Sequence, residues 1–527
     1  MATPTLSNVP TTISSAESVT NWSAVSVILD PDIKREGNNS VTDGLRNNGQ
    51  EFVYTGAPFP TTLTNETIRL WSTTTLTPYM RSFANEGFSM AIGTGNTATA
   101  YFTFAGFDTY VGGWLNMAVS VSTSVTPTSG TWNTASTVRQ AGIRFLRTTQ
   151  PRNIDNTWLD YLRYGDGYTA EGGTSGDPIT PNEIAAVDFS NGYGIFENTD
   201  GVIFGAGTLD IGNATATDFD SVGDLIVFLE NQYVRSGLYR IAATGFGTNV
   251  LFDGSVIKSA GTIANNRFDF VMDASMTCEV NGCLFDFANS INFNGSIAHT
   301  VTNNTFNNVN LITHGGGTFT GNSITNPSGA RAVLTTTANM ANLTSNLFES
   351  DGSSHALEIS GTANFTFNNT LSGYVAGTTG SPVSTTSTGN EAIHITATSG
   401  TITINVADGA SVPSIRSNGA TVNVVAGQRT FTVDVSDINT GSPVQNARVY
   451  VTAAAGGGLT EGTVIIDKLL TNSFGEVSDT RSYSVDQPYV GVVRRATSGT
   501  LYKATSVSGV ISSSANTTLN VSLIPDE

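Results

Sequence analysis

The sequence predicts an all-β protein with a β-sandwich at its N-terminal end, a parallel β-helix in the middle and a second sandwich at its C-terminal end. Short apolar runs separated by Gly, Asn and Pro turns occur along the whole chain, without the periodicity of amphipathic helices. In the middle of the chain, an apolar phrase recurs about every 20 residues, as in stacked coils. Only 12% of residues are charged, whereas Gly alone accounts for 55 of 527.

The charge composition excludes one large class of function. The chain carries 23 Lys and Arg against 42 Asp and Glu, which gives a formal net charge of −19. Binding of nucleic acid needs a basic surface, so we expect none here. Apolar residues make up 39% and aromatic residues 9% of the chain, a content that favours a folded protein over a disordered one.

The N-terminal residues, the apolar stretches and the cysteines are informative about the cellular compartment. The first residues have neither a basic region nor an apolar core of a secretory signal, and no stretch approaches the ~18 apolar residues of a membrane span. We therefore expect no signal peptide and no membrane span. Cys278 and Cys283 provide neither a disulfide framework nor a second cysteine pair for zinc. They are predicted to be buried β-helix residues, with a local disulfide as the alternative.

The N-terminal part is predicted to be an extended arm, residues 1–20, followed by a β-sandwich over residues 21–173. The arm is rich in Thr, Ser and Pro and has few large apolar residues. Turn residues cluster at 172–181 and close the sandwich. Its predicted strands are Ser26–Leu29, Glu51–Tyr54, Thr67–Trp71, Phe88–Ile92, Ala100–Phe104, Asn116–Val121, Ala141–Phe145 and Trp158–Leu162.

Residues 182–420 are predicted to form a parallel β-helix. A large apolar residue after one or two small polar residues recurs at spacings of 17, 21, 18, 24 and 23. Coils stacked ~4.8 Å apart bury such residues in a column and let Asn amides at the bends form a ladder. Before residue 250, the best candidates for coils are Gly201–Ile211 and Leu225–Leu229. The residues taken as equivalent are Phe268, Phe285, Phe306, Ile324, Phe348 and Leu371.

Residues 421–527 are predicted to form an Ig-like sandwich. Residues 440–451 read TGSPVQNARVYV, and residues 471–477 read TNSFGEV. These phrases resemble the Ig-like domains of bacterial invasin-type and carboxypeptidase-regulatory-like proteins over about 100 residues. The resemblance implies a display or spacer role, because such domains have no catalytic residues to transfer.

The first sandwich carries a second resemblance. Residues 110–114 read YVGGW, residues 138–143 read VRQAGI and residues 158–165 read WLDYLRYG. Their order is similar to that in jelly-roll domains of the carbohydrate-binding, concanavalin-like and galactose-binding-like kinds, and it implies a jelly-roll-like fold. No calcium-ligand cluster or aromatic platform of those families can be assigned to the sequence.

The whole arrangement is similar to structural proteins of tailed bacteriophages, including decoration, fibre and spike proteins. The resemblance implies a non-enzymatic protein on the virion surface, made in the host cytoplasm, that contacts other capsid or tail proteins. Because a β-helix has exposed end coils and flat faces, a homotrimer is expected. Alternatives are a tailspike-type polysaccharide hydrolase or lyase, and a bacterial surface adhesin.

The enzymatic alternative depends on Asp269 and Asp286. Each lies in a Phe-Asp-Phe triplet, and the two are 17 residues apart. Equivalent positions on neighbouring coils would place them about 5 Å apart, as in retaining glycosidases. The alternation also points both carboxylates outward as ordinary solvated positions, and we prefer this interpretation.

Binding of a host-surface glycan is a further possibility for the first sandwich. Trp114 and Trp158 could stack on a sugar, and Asp108 and Asp160 could accept hydrogen bonds from its hydroxyl groups. Packing in the core is the simpler role for both tryptophans, since they lie within strand runs.

No metal or other cofactor is predicted. The four histidines have no metal-binding spacing, and polar positions on the β-helix surface explain them more simply. They are His299, His314, His355 and His394.

Overall fold

A computed structural model shows a chain dominated by β-strands, which confirms the all-β prediction. The chain divides into two compact units, residues 1–334 and 335–527. No helix in the described part of the chain is long and apolar enough to cross a membrane. The structure describes residues 2–23, 26–43, 50–56, 59, 67–74, 87–93, 99–103, 114–121, 125–132, 138–146, 157–212, 216–234, 240–243, 248–260, 264–272, 277–293, 299–350, 352–380, 383–384, 389–407, 409–425, 428–483, 485–496, 499–513 and 515–526.

The first unit begins with the strands of a sandwich. All eight strands predicted for this region are present, with ends that differ by a few residues at most. The strands are β1 (Thr5–Ser7), β2 (Thr11–Ser14), β3 (Trp22–Ser23), β4 (Val27–Asp30), β5 (Ser40–Asp43), β6 (Glu51–Tyr54), β7 (Thr67–Thr74), β8 (Gly87–Gly93), β9 (Ala100–Thr103), β10 (Leu115–Ser120), β11 (Ser129–Gly130), β12 (Gln140–Leu146), β13 (Thr157–Tyr164) and β14 (Gly167–Glu171).

Two antiparallel sheets enclose the core of this sandwich. One has the order β10-β7-β13-β5-β4, and the other has the order β11-β9-β8-β12-β6-β3. Alternate residues of their strands, such as Phe52 and Leu70, are fully buried between the sheets. The alternation of apolar and polar residues therefore determines which face of each strand is covered.

The segment predicted as an extended arm pairs with the chain's own strands. β1 runs antiparallel to β14, with Leu6 opposite Ala170. β2 runs antiparallel to β13, with Thr11 opposite Tyr164. These ladders provide hydrogen-bond partners for backbone N–H and C=O groups of the N-terminal residues.

Helix α1 (Pro181–Asn191) was not predicted from the sequence, yet its ends carry clear signals. The Thr180 hydroxyl accepts a hydrogen bond from the Glu183 N–H, and the Glu183 carboxylate accepts one from the Thr180 N–H. This reciprocal pair is a capping box, and Pro181 fits the first turn because it has no N–H to leave unpaired. Gly192 ends the helix in a left-handed conformation at φ 73°.

Parallel coils follow α1 in the first unit, with three strands in each regular coil. A short 3-10 helix spans Ala264–Asn266. The strands are β15 (Phe196–Thr199), β16 (Val202–Gly205), β17 (Thr208–Ile211), β18 (Asp218–Val222), β19 (Leu225–Phe228), β20 (Glu230–Gln232), β21 (Arg240–Ala243), β22 (Asn249–Asp253), β23 (Val256–Ser259), β24 (Phe268–Met272), β25 (Thr277–Asn281), β26 (Leu284–Asp286), β27 (Ala288–Phe293), β28 (His299–Thr302), β29 (Thr305–Asn307), β30 (Ile312–His314), β31 (Thr318–Thr320), β32 (Ser323–Thr325) and β33 (Arg331–Thr336).

Apart from β15, which pairs antiparallel with β16, and β20, these strands and β14 form three parallel stacks. Stack 1 is β18-β22-β25-β28-β31, stack 2 is β16-β19-β23-β26-β29-β32, and stack 3 is β14-β17-β21-β24-β27-β30-β33. β20 leaves the coils and pairs in parallel with β10 of the sandwich, with Asn231 opposite Met117. Pairing of β20 with β10 thus joins the coils of the first unit to the sandwich.

The register identifies the buried column of stack 2. Phe285 lies opposite Phe306, and Phe306 lies opposite Ile324, as predicted. The Phe285 and Phe306 rings stack with centroids 5.1 Å apart. The predicted equivalence of Phe268 is wrong, since it pairs with Ala288 in stack 3. The length of the coils varies, so a fixed apolar spacing does not identify the stack to which a residue belongs.

The second unit contains further parallel coils. β34, β36, β39 and β41 form one parallel stack, and β35, β38, β40 and β37 form another. Phe348 lies opposite Leu371, as predicted. A 3-10 helix spans Thr337–Asn342. The strands are β34 (Leu343–Glu349), β35 (His355–Ser360), β36 (Phe365–Ser372), β37 (Val383–Ser384), β38 (Ile393–Ile395), β39 (Thr401–Val406), β40 (Ile415–Ser417) and β41 (Thr421–Val425).

The C-terminal strands form a three-stranded sheet, β45-β42-β48, and a four-stranded sheet, β44-β43-β46-β47, around one apolar core. In the TNSFGEV turn, the Asn472 side chain accepts hydrogen bonds from the N–H groups of Phe474 and Glu476. The division of the chain at residues 20, 173, 182 and 420 stays a prediction. The strands are β42 (Gln428–Asp437), β43 (Arg448–Ala453), β44 (Val464–Leu470), β45 (Glu476–Ser482), β46 (Gln487–Arg495), β47 (Tyr502–Ile511) and β48 (Thr517–Leu523).

Candidate functional site

The enzymatic alternative requires Asp269 to stack over Asp286, and the structure does not place them so. Asp269 is on β24 in stack 3, where it lies opposite Arg240 and Ser290. Asp286 is on β26 in stack 2, where it lies opposite Asn307. The two carboxylates belong to different stacks and do not form the pair that a glycosidase mechanism requires.

The surroundings of the two carboxylates differ from the solvated positions that were expected. Asp269 is only 6% exposed, and it accepts hydrogen bonds from Asn289 Nδ2 at 2.8 Å and Ser290 Oγ at 2.5 Å. Asp286 is half-buried and accepts a hydrogen bond from Asn307 Nδ2 at 2.9 Å. Each carboxylate therefore binds a side-chain amide from the next coil.

The same contact recurs on other coils. Asp218 accepts a hydrogen bond from Asn249 Nδ2 at 2.6 Å, and Asp253 accepts one from Asn281 Nδ2 at 2.9 Å. Asn281 Oδ1 in turn accepts a hydrogen bond from the Thr302 hydroxyl on the following coil at 2.9 Å. We call these Asp-to-Asn contacts the carboxylate ladder, which links successive coils through their outer side chains.

A second ladder of buried asparagines follows the bends, as the sequence predicts. Asn304 Oδ1 accepts a hydrogen bond from the Cys283 N–H at 2.8 Å, and Asn322 Oδ1 accepts one from the Asn304 N–H at 2.9 Å. In the second unit, Asn369 Oδ1 likewise accepts from the Asn346 N–H at 3.0 Å. Cys283 and Cys278 are both buried and carry free thiols.

The predicted sugar-stacking residues do not form an open platform. Trp158 is buried and donates from Nε1 to Asp30 Oδ2 at 2.8 Å. Trp114 is half-buried against an apolar cluster that includes Trp71. Asp160 is fully buried, whereas Asp108 lies outside the described residues. These contacts place Trp158, Trp114 and Asp160 in the packing of the first unit.

Asp160 belongs to a buried group of charges that the sequence did not indicate. Its carboxylate accepts hydrogen bonds from the backbone N–H groups of Arg35, Glu36 and Tyr161 at 2.9–3.0 Å. It thereby fixes the segment between β4 and β5 against β13. We call the group the junction cluster, and its members are Arg35, Glu36, Asp160, Arg163, Asp188 and Glu197.

Ion pairs and helix α1 complete the junction cluster. Arg163 donates from both terminal nitrogens to the Glu36 carboxylate, at 2.7 and 2.5 Å. Asp188, on α1, accepts hydrogen bonds from the N–H groups of Gly194 and Ile195. Arg35 pairs with Glu197 on β15 at 2.9 Å. These contacts join the sandwich to the segment that leads into the coils of the first unit.

The junction cluster contains four carboxyl groups but only two guanidinium groups, so their charges do not balance. Burial raises the pKa of Asp160 to about 8, against the opposing effect of its backbone hydrogen bonds. Burial also raises the pKa of Asp188 to about 8, although Arg163 lowers it. Burial raises the pKa of Glu197 well above its ordinary value, and the nearby Glu36 adds to the shift.

The histidines lie in the interior, so the prediction of surface positions is wrong. All four are at most 9% exposed. Burial lowers the pKa of His299, His314 and His355. The His355 and His394 rings lie 5.2 Å apart in the second unit. Within the described ranges, no group of three or more His, Cys, Asp and Glu side chains is placed to hold a metal ion.

A polar cleft of about 550 Å³ opens beside β14 in the first unit. Its rim includes the exposed residues Asn8 and Thr11, and its walls include the half-buried Tyr164, Asp166 and Asp210. The described residues that line the cleft are Asn8, Val9, Thr11, Tyr164, Gly165, Asp166, Gly167, Tyr168, Thr169, Thr208, Asp210 and Arg240.

Arg69 and the close packing of β14 against β17 hold the backbone of the polar cleft in place. The Arg69 guanidinium donates to the carbonyl oxygens of Gly165 and Asp166 and forms an ion pair with Glu230 on β20 at 3.0 Å. A Cβ atom on Gly167 would lie 2.0 Å from the Thr208 carbonyl oxygen, so only glycine allows β14 to approach β17 this closely. The cleft is therefore formed by packed strands.

Comparisons with known proteins do not identify the chain. No protein-family model matches the sequence, and no curated protein matches it.

Proposed function

We propose that this protein is a non-enzymatic structural protein in which the parallel coils serve as a rigid scaffold. The particular assembly that we propose is the surface of a tailed-bacteriophage virion, where the chain would contact other particle proteins as a decoration or fibre protein. The resemblance of the domain order to phage structural proteins supports the choice of assembly.

The observation that carries the structural role is the carboxylate ladder. Asp253 and Asp286 bind amides of the next coil, in the way that Asp218 and Asp269 do. A glycosidase mechanism instead needs two carboxyl groups that flank one glycosidic bond, whereas Asp269 and Asp286 lie in different stacks. Side chains held in these contacts strengthen the coils, and their chemistry is that of a scaffold.

A cleavage assay tests the non-enzymatic part of the proposal. The full chain is incubated with a panel of bacterial capsular and envelope polysaccharides, and released reducing ends and unsaturated uronates are measured. We expect no release above that of a heat-denatured sample. Release by the wild-type protein that Asp269→Asn abolishes, while folding is retained, would refute the proposal in favour of a polysaccharide hydrolase or lyase.

Quantitative mass spectrometry of purified virions whose genome encodes the chain tests the proposed location. We expect the protein in intact particles at a fixed ratio to the major capsid protein. A high ratio to the major capsid protein identifies a decoration protein, and a few copies per particle identify a tail protein. Absence of the chain from purified particles would overturn the location.

A further inference from the structure

The polar cleft has features of a binding site that the scaffold role does not require. Its volume of about 550 Å³ lies within the range of about 300–1,000 Å³ that is typical of small-ligand sites. Its described lining combines hydroxyl groups, carboxylates and the guanidinium of Arg240 with the aromatic ring of Tyr164. Such a lining offers both hydrogen bonds and an apolar surface to one ligand.

The carboxylates of the cleft retain unused acceptor capacity. The Asp166 carboxylate accepts a hydrogen bond on Oδ1 from the Thr67 hydroxyl at 2.6 Å, and Asp210 Oδ1 contacts Arg240 at 3.4 Å. In the part of the chain that the structure describes, nothing else donates to either carboxylate. Because an ionised carboxylate has about four lone-pair sites, each can accept further donors from a ligand.

These two carboxylates differ from those of the carboxylate ladder. Asp286 binds an amide of the next coil, whereas Asp210 lies opposite Thr169 and Ala242, neither of which has a side-chain amide. Burial raises the pKa of Asp210, although its ion pair with Arg240 opposes the shift. The position therefore keeps a partly desolvated carboxylate whose contact to the next coil is a 3.4 Å ion pair with Arg240 rather than an amide hydrogen bond.

The charges of the cleft select among ligand classes. Asp166 and Asp210 outnumber Arg240, so a polyanion would meet net repulsion. The described residues provide no group of three metal-ligating side chains, so the cleft does not resemble a cation site. A ligand with many hydroxyl groups and no charge can donate to the carboxylates, accept from the threonines and stack on Tyr164.

We propose that the polar cleft binds a short segment of a neutral oligosaccharide, with Asp166 and Asp210 accepting hydrogen bonds from its hydroxyl groups. Arg240 positions the Asp210 carboxylate, and Tyr164 provides the aromatic wall. This site differs from the sugar-binding residues that the sequence indicates, and it goes beyond the scaffold role.

Isothermal titration calorimetry on the full chain tests the proposal with four named probes. The neutral probes are cellohexaose, maltohexaose and mannohexaose, and hexagalacturonate is the charged probe of equal length. We expect at least one neutral hexasaccharide to bind and hexagalacturonate to bind more weakly. Failure of all three neutral probes, or tighter binding of hexagalacturonate, would overturn the proposal.

Matched variants test whether binding occurs in this cleft. Asp210→Asn and Asp166→Asn should each weaken binding of the neutral probe about tenfold, as expected for loss of a hydrogen bond to a charged group. Asp286→Asn makes the same substitution on the carboxylate ladder and should leave binding unchanged. Unchanged binding by both cleft variants, with circular dichroism spectra like that of the wild type, would refute the assignment.

Discussion

The coils and the junction cluster of the first unit use acidic side chains in opposite ways. In the carboxylate ladder of the coils, an acidic side chain meets an amide from the next coil, so that the contact between Asp253 and Asn281 is repeated by Asp286 and Asn307. In the junction cluster, carboxyl groups from distant segments are buried around two guanidinium groups. On the coils, a repeated neutral amide is the partner of each ladder carboxylate. In the junction cluster, ion pairs and backbone hydrogen bonds hold an excess of buried acidic groups.

The pH dependence of stability should reveal the excess of acid in the junction cluster. The pKa values of Asp160 and Asp188 rise from 3.8 to about 8 on folding, and one pKa unit corresponds to about 1.36 kcal/mol. The folded chain thus holds these protons more tightly than the unfolded chain does. Their contribution to the free energy of unfolding is complete below pH 3.8 and is lost as the pH rises through about 8.

Urea unfolding at pH 5 and pH 8 measures this effect, and we expect lower stability at pH 8. All five tryptophans, at positions 22, 71, 114, 132 and 158, lie in the first unit, so their fluorescence reports on that unit alone. Asp188→Asn, which cannot ionise, should reduce the difference between the two pH values. If the stability of the variant changes between pH 5 and pH 8 as much as that of the wild type, the claim that Asp188 is buried in excess of cationic partners is contradicted.

Removing a buried cation should damage the junction more than removing a surface cation damages the coils. Arg163→Met leaves the Glu36 carboxylate buried without its partner, which should cost about 3–5 kcal/mol. Arg240→Met removes a half-exposed ion pair with Asp210 and should cost about 1 kcal/mol or less. The same urea titration measures both variants, and equal losses would remove the proposed difference between the two regions.

The apolar column of the coils should be as sensitive to a cavity as an ordinary protein core. Phe285→Ala deletes a fully buried ring that stacks on Phe306, with an expected loss of about 3–5 kcal/mol. Leu284→Ala, at a half-buried position on the same strand, should cost about 1 kcal/mol. Urea unfolding distinguishes the two variants, and a similar loss in both would indicate that the register of stack 2 is wrong.

The buried asparagine ladder should contribute less to the free energy of unfolding than the apolar column of stack 2 does. A hydrogen bond stabilises the folded chain less than the burial of a large apolar side chain. Asn304→Ala leaves the Cys283 N–H and the Val280 carbonyl without their side-chain partner, which should cost about 1–3 kcal/mol. The exposed Asn310→Ala is the control, with an expected change within about 0.5 kcal/mol. A loss as small as that of the control would show that the ladder does not stabilise the coils.

The coils were the more predictable region, since their contacts repeat along the sequence. Phe285, Phe306 and Ile324 follow small polar residues at similar spacings, and the buried asparagines precede the last two of them. Phe268 carries the same local phrase but belongs to another stack. The local pattern therefore predicts a coil, while the assignment to a stack depends on coil lengths that vary.

The junction cluster and the polar cleft could not be predicted, because their residues come together only in the fold. Glu36 and Arg163 are separated by 127 positions, and no local pattern relates them. Helix α1 is a different case, since Thr180, Glu183 and Gly192 carry its end signals in the sequence. These capping signals predict the helix that carries Asp188, but they do not predict the charged groups that surround it.

A double-mutant cycle on Asp286 and Asn307 tests most directly the claim that coil carboxylates have a structural role. The free energy of unfolding is measured by urea titration for Asp286→Ala, for Asn307→Ala and for the double variant. The cycle should give a favourable coupling of about 0.5–1.5 kcal/mol, the usual contribution of one hydrogen bond. Additive losses, with no coupling between the two positions, would contradict the claim that the carboxylate ladder holds the coils together.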